Sequence, residues 1–184
     1  MPAEPAGFDD RVLAALFERR IVLVRGHLDD GRAGEVAAAL MTLDALGDDA
    51  IELSLQAPSG TFDAALIVLD AIDVCGVAVN TSALGVVGGG AVAILAAGDR
   101  RVMSPHARLH LREPDLSWTA RAGDIDEGAR HWAQRRAQFF EALADRLHRG
   151  ADDVESQWQR ATFLDAQEAV AAGYADAVAG PEDR

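Results

Sequence analysis

A single cysteine, Cys75, among 184 residues rules out an intramolecular disulfide and any Cys-x-x-Cys metal site. It follows an apolar helical run, where a small buried side chain is expected rather than a nucleophile. Basic residues are few: 17 Lys and Arg stand against 30 Asp and Glu, for a net charge of -13. No basic stripe is present to follow a phosphate backbone, so neither nucleic acid nor an anionic membrane is an expected partner. Long apolar runs are missing as well. The longest, around residues 85–97, is too short and too glycine-rich to span a bilayer. The opening MPAEPAGFDDR has no basic region followed by an apolar one, so no signal peptide is expected and the cytoplasm is the expected compartment. No Lys or Ser/Thr follows Gly88-Gly89-Gly90 in phosphate-loop spacing, and His27, His131 and His148 are scattered. Neither a metal nor a cofactor is expected.

What is present fits one globular domain, with 49% hydrophobic residues and no repeat or linker. Residues 1–9 read as a short stub, 10–180 as the domain and 181–184 as a tail. Residues 20–25 (RIVLVR) make an apolar, β-branched run that predicts a buried strand. Val36, Leu40 and Leu43 recur at helical spacing within 31–46, ahead of Gly47. A second strand is expected at 50–55, a turn at 57–60 and an apolar helix at 61–74. Strand 76–82, a glycine-rich turn at 85–90 and a helix at 91–97 follow. Short strands at 100–103 and 107–111 precede the longest helix, 123–149, about 40 Å at roughly 1.5 Å per residue. Asp165 with Glu168 makes a capping-box start for a further helix, Gly173 suits its end, and 175–178 closes as a strand. Strand and helix in alternation imply right-handed crossovers and a largely parallel sheet in an α/β fold.

Four stretches in order carry a family resemblance. Glu18-Arg19-Arg20-Ile21-Val22-Leu23 is similar to an opening strand, and Gln56-Ala57-Pro58-Ser59-Gly60-Thr61 to an Asn-Ser-Pro-Gly-Gly-Ser turn. Gly85 through Gly98 resembles a Gly-x-Ala-Ser-Met-Gly nucleophile turn with the helix after it. Thr162 through Ala169, with Gly173 and Asp176, resembles a closing helix and strand, and Arg108 and Pro114 fall around a catalytic histidine position. On these residues the chain is identified as a member of the Clp protease proteolytic-subunit (ClpP) family, within the wider ClpP/crotonase superfamily. The resemblance implies an α/β fold of repeated β-β-α and βαβ units with a protruding handle helix. It also implies ATP-dependent serine endopeptidase ancestry and heptameric rings paired face to face through that helix.

Serine acyl transfer needs a nucleophile, a base to take its proton and a group that orients the base. Counted from Gly85 and Gly98, the family's nucleophile falls on Gly89, which has no side chain. Counted from Arg108 and Pro114, the base falls on Arg112, a guanidinium that accepts no proton near neutral pH. Counted from Phe163, the orienting carboxylate falls on the uncharged Gln157. A degenerate triad, and hence a pseudoenzyme, is the expectation. Ser59, Gly60 and Gly90 mark the backbone that would serve as an oxyanion hole. Ser59 with His110, two residues before Arg112 and on the same strand face, is the substitute pair for a rearranged peptidase. An acyl-thioester binder of crotonase type would use the same amides, but no acid/base carboxylate or basic cluster for a CoA phosphate accompanies them.

In the long helix Ile125, Ala129, Trp132, Arg136, Phe139, Leu143 and Leu147 recur at three- and four-residue steps. Trp132, Phe139 and Phe140 are therefore expected as oligomer contacts, because a helix this long outruns one small domain. The expected partners are further copies of the chain, in a ring or double heptamer, or an active ClpP paralogue. Only about nine residues precede the first helix, where the family has a longer axial loop. That argues against docking of an unfolding ATPase.

Overall fold

The computed structural model describes residues 8–114 and 125–180. Helix α1 (Phe8–Glu18) leads into β1 (Ile21–Leu28), α2 (Asp30–Leu46), β2 (Ile51–Gly60), α3 (Phe62–Val74) and β3 (Val79–Ala83). Then come β4 (Val86–Gly88), α4 (Ala91–Ala96), β5 (Arg101–Met103), β6 (Arg108–Leu111) and α5 (Ile125–Leu147). The chain finishes with α6 (Ala151–Trp158), β7 (Thr162–Asp165), α7 (Ala166–Ala171) and β8 (Ala177–Val178). Five strands pair in parallel in the order β1-β2-β3-β5-β8, as alternating strands and helices require. A second sheet sets β4 parallel to β6 and β6 antiparallel to β7.

Local chemistry accounts for the helix starts. Asp29 and Thr61 cap α2 and α3 by accepting from the Arg32 and Ala64 amides. The capping box at Asp165 and Glu168 is formed in full, and Gly173 takes φ +81 just past the end of α7. Beyond it, the Asp176 carboxylate accepts from the backbone and side chain of Arg101, while Arg101 Nη1 donates to the Gly173 carbonyl at 2.9 Å. The closing Gly173 and Asp176 thus fasten β8 to β5.

Three expectations change. Residues 57–60 are not a free turn. β1 runs on to Leu28 past a bulge at Gly26, φ +75, and pairs His27 with Ser59 and Leu28 with Gly60. Those added rungs keep β2 extended through Gly60. The glycine-rich segment 85–90 contains strand β4, and β7 forms because β6 supplies an antiparallel partner.

The third change concerns the long helix. α5 has 23 residues, which is about 34 Å. Its C-terminal half is core: Phe139, Phe140, Leu143, Ala144 and Leu147 are all buried within this one chain. Phe139 stacks on Phe62 at 4.2 Å, and Phe139 and Phe140 each meet Trp158 edge to face. Phe139 and Phe140 are therefore not oligomer contacts. Trp158, the last residue of α6, is buried beside them. Trp132, in the other half, is partly buried against the same core.

Candidate functional site

The site begins where two backbone segments meet. Residues 58–61, at the end of β2, lie against Gly88-Gly89-Gly90, between β4 and α4. A Cβ at Gly88 would lie 2.4 Å from the Pro58 carbonyl oxygen, and one at Gly90 would lie 2.1 Å from that of Thr61. Real side chains essentially never come so close to backbone, so only glycine permits this approach. Gly89 turns with φ +56, in the left-handed region, and its Cβ would meet the Gly60 carbonyl oxygen at 2.8 Å. A sharp turn between strand and helix is where a hydrolase nucleophile sits. Here the backbone bend is present and the space for a side chain is closed.

The amides of this turn are occupied. Gly90 N–H donates to the Gly60 carbonyl at 2.9 Å, and Gly89 N–H donates to the His110 carbonyl at 3.2 Å. Gly90 was expected to supply an oxyanion donor. In this arrangement its hydrogen goes to Gly60 instead, and an oxyanion has no amide there to accept.

Beside the turn opens a cavity of about 480 Å³. Gly89 and Arg112 both line it, as do Ser59 and Gly60, so two of the three positions expected to hold the triad share one cavity. Arg112 is partly exposed. The adjacent Glu113 accepts paired bonds of 2.9 and 2.7 Å from Arg136. Arg136 also donates to Glu155 at 2.8 Å and lies over the Phe140 ring at 4.9 Å. Hydrogen bonds to Glu113, ahead of the opposing effect of burial, raise the Arg136 pKa further above its ordinary value.

Gln157 has joined a different group. Trp158 Nε1 donates to the Tyr174 hydroxyl at 3.1 Å, and that hydroxyl donates to Gln157 Oε1 at 3.3 Å. Arg149 Nη1 donates to the same Oε1 at 3.0 Å. Burial pushes the Tyr174 phenol up, against the lowering effect of the hydrogen bond from Trp158. Gln157 lines neither of the two cavities that Arg112 lines. Gln157 is thus wired into the packing of α6.

Ser59 and His110 are not brought together. The His110 ring stacks on Phe163, centroids 3.9 Å apart, in a separate cavity beside Trp158. Burial, with the Arg112 charge second, lowers its pKa. Ser59 pairs instead with His27: Oγ to Nδ1 is 2.8 Å. Sequence reading had left His27 among the scattered histidines. Only the extension of β1 past Gly26 sets the two in register, and no local pattern announces it. Among the described residues no group of His, Cys, Asp and Glu could hold a metal ion, and no helix is long and apolar enough to cross a membrane.

Comparison with known proteins gives a consistent result. The Clp protease family profile matches residues 7–182. The ATP-dependent Clp protease proteolytic subunit 1 of Corynebacterium diphtheriae is 30% identical over 169 residues, 90% of this chain and 81% of that protein. A Streptomyces coelicolor protein described as like an ATP-dependent Clp protease proteolytic subunit is 33% identical over 168 residues, 89% of this chain and 80% of that one. The ATP-dependent Clp protease proteolytic subunit of Pleurastrum terricola is 27% identical over 168 residues, with 89% and 85% covered.

Proposed function

The chain belongs to the Clp protease family, and on that premise we propose that it is a proteolytic-subunit homologue that does not cleave peptides. Its role in this reading is structural or regulatory, as one subunit of a ring built from its own copies or shared with an active paralogue. One observation carries the silence: the Cβ that any nucleophile at 89 would need lies 2.8 Å from the Gly60 carbonyl oxygen. The Gly90 amide, bound to that same carbonyl, compounds the loss, since a hydrolase needs that donor for developing charge. Arg112 adds a cation where a base should stand. The occupied Gly90 amide equally disfavours a crotonase-type thioester binder, and the stacking of His110 on Phe163 disfavours a Ser59/His110 peptidase.

Assembly rests on family membership and on the outer half of α5. There Glu127, His131 and Gln134 are exposed while Trp132 is partly buried, so the contacts of this half are polar rather than an apolar stripe. Docking of an ATPase forms no part of the reading. Native mass spectrometry of the chain alone and mixed with an active family member, alongside a fluorogenic peptide assay, tests both halves. The expected result is a ring-sized homo-oligomer or mixed ring, with no peptide turnover by this chain alone. A monomer in both samples would sink the ring, and peptide turnover by the purified chain would sink the silence.

A further inference from the structure

The family's nucleophile position is closed, yet a hydroxyl and an imidazole meet at the rim of the same cavity. The bulge at Gly26 lets the last rungs of β1 and β2 pair His27 with Ser59, which sets Ser59 Oγ 2.8 Å from His27 Nδ1. A serine hydroxyl donating to an imidazole nitrogen is the arrangement that makes it a nucleophile. His27 is exposed and Ser59 half-buried, so a small molecule can reach both. The two share their cavity with Phe62, Pro114 and Trp132, an apolar wall suited to a short acyl chain. Thr61 then caps α3, a helix of 13 residues whose first residues, Phe62 and Asp63, also line the cavity. The first-turn amides of a helix have no intrahelical acceptor and form its electropositive end, where an oxyanion is favoured.

We propose that Ser59 and His27 are a nucleophile and its base, separate from the family's triad, that take an acyl group from small activated esters. Ser59 Oγ attacks the ester carbonyl carbon while His27 Nδ1 takes the hydroxyl proton. The carbon–oxygen bond to the leaving alcohol breaks, and that alcohol receives the proton from His27. Water, deprotonated by His27, then releases the carboxylic acid and restores Ser59. Among the described residues no carboxylate hydrogen-bonds His27, so its base is less well oriented than in a full triad. That restricts the substrate class to esters with good leaving groups and leaves peptide amides outside it.

The full-length chain, treated with p-nitrophenyl acetate and separately with a fluorophosphonate probe, tests the pair. Acetyl or phosphonyl mass is expected on the peptide that contains Ser59. Ser59→Ala should abolish it with an unchanged circular dichroism spectrum. His27→Asn should slow labelling by about a hundredfold, and Ser82→Ala should label like the parent. An unlabelled parent chain, label on any other residue, or a His27→Asn variant that reacts at the parent rate would overturn the proposal. Peptide turnover that disappears with Ser59→Ala would overturn both the restriction to activated esters and the proposal that the chain does not cleave peptides. A missing label would overturn this pair alone.

Discussion

At residues 88–90 the chain is held by backbone against backbone, whereas around Gln157 it is held by side chains reaching side chains. Both places are expected, from spacing, at parts of a serine-protease site, and they are held by different physical means. In the glycine turn the contact is the fold itself: any Cβ at 88, 89 or 90 meets the 58–61 backbone. Around Gln157 the contacts are hydrogen bonds between side chains, which its Oε1 accepts from Arg149 and Tyr174. A side-chain network can be rewired by one substitution, but a backbone contact yields only if a segment moves.

That contrast predicts a ranking of effects. Gly90→Ala should be the most damaging, because its Cβ would lie 2.1 Å from a backbone oxygen that cannot swing away. Overpacking of this kind costs about 3 kcal/mol, read as a lowered urea midpoint. A variant as stable as the parent would mean the 58–61 segment is free to shift, and the contrast would fail.

Gly89→Ser should come next. A positive φ for a residue with a Cβ, together with the close Gly60 oxygen, should cost about 2 kcal/mol. Neither it nor the triple variant Gly89→Ser, Arg112→His, Gln157→Asp should hydrolyse a fluorogenic peptide, since Gly90 N–H remains on Gly60. Measurable turnover by the triple variant would show the turn to be more open than its contacts imply.

On the side-chain-held side, Gln157→Leu leaves the buried Tyr174 hydroxyl without its acceptor, a loss of about 1–3 kcal/mol. Gln157→Glu keeps an acceptor of the same reach beside Arg149 and should stay within about 1 kcal/mol of the parent. Equal losses for the two would mean shape, not hydrogen bonding, holds this cluster.

The smallest effect should be found at Asp176. Its carboxyl is held below the ordinary range, first by the hydrogen bond from Arg101, with burial acting the other way. The folded chain therefore binds this proton less readily than the unfolded one. The stabilisation is complete above the ordinary value of 3.8 and fades as pH falls through the lower folded value. Melting temperature followed from pH 5 downward should fall less steeply in Asp176→Asn than in the parent. Parallel curves would remove the Arg101 tie from the account.

Much of the fold was legible because its signals are local. The run at 20–25, the helical spacing of Val36, Leu40 and Leu43, and the capping box at Asp165 each depend on neighbours within a few residues. The expected triad positions rest on a related signal: Gly89, Arg112 and Gln157 are proposed from their spacing to matched residues. Phe139 and Phe140 were misread as partner contacts because helical periodicity shows that a stripe exists but not what covers it. Their cover is Phe62 and Trp158, which arrive from α3 and α6.

The sequence by itself determined the alternation of strands and helices, the caps and the membership of the family. Tertiary structure alone decided three things. It closed the turn at 88–90 against 58–61, it buried the inner half of α5, and it brought His27 to Ser59. Each depends on a pairing between segments far apart in the chain, and side-chain chemistry read along the chain carries no term for which distant backbone will lie beside it.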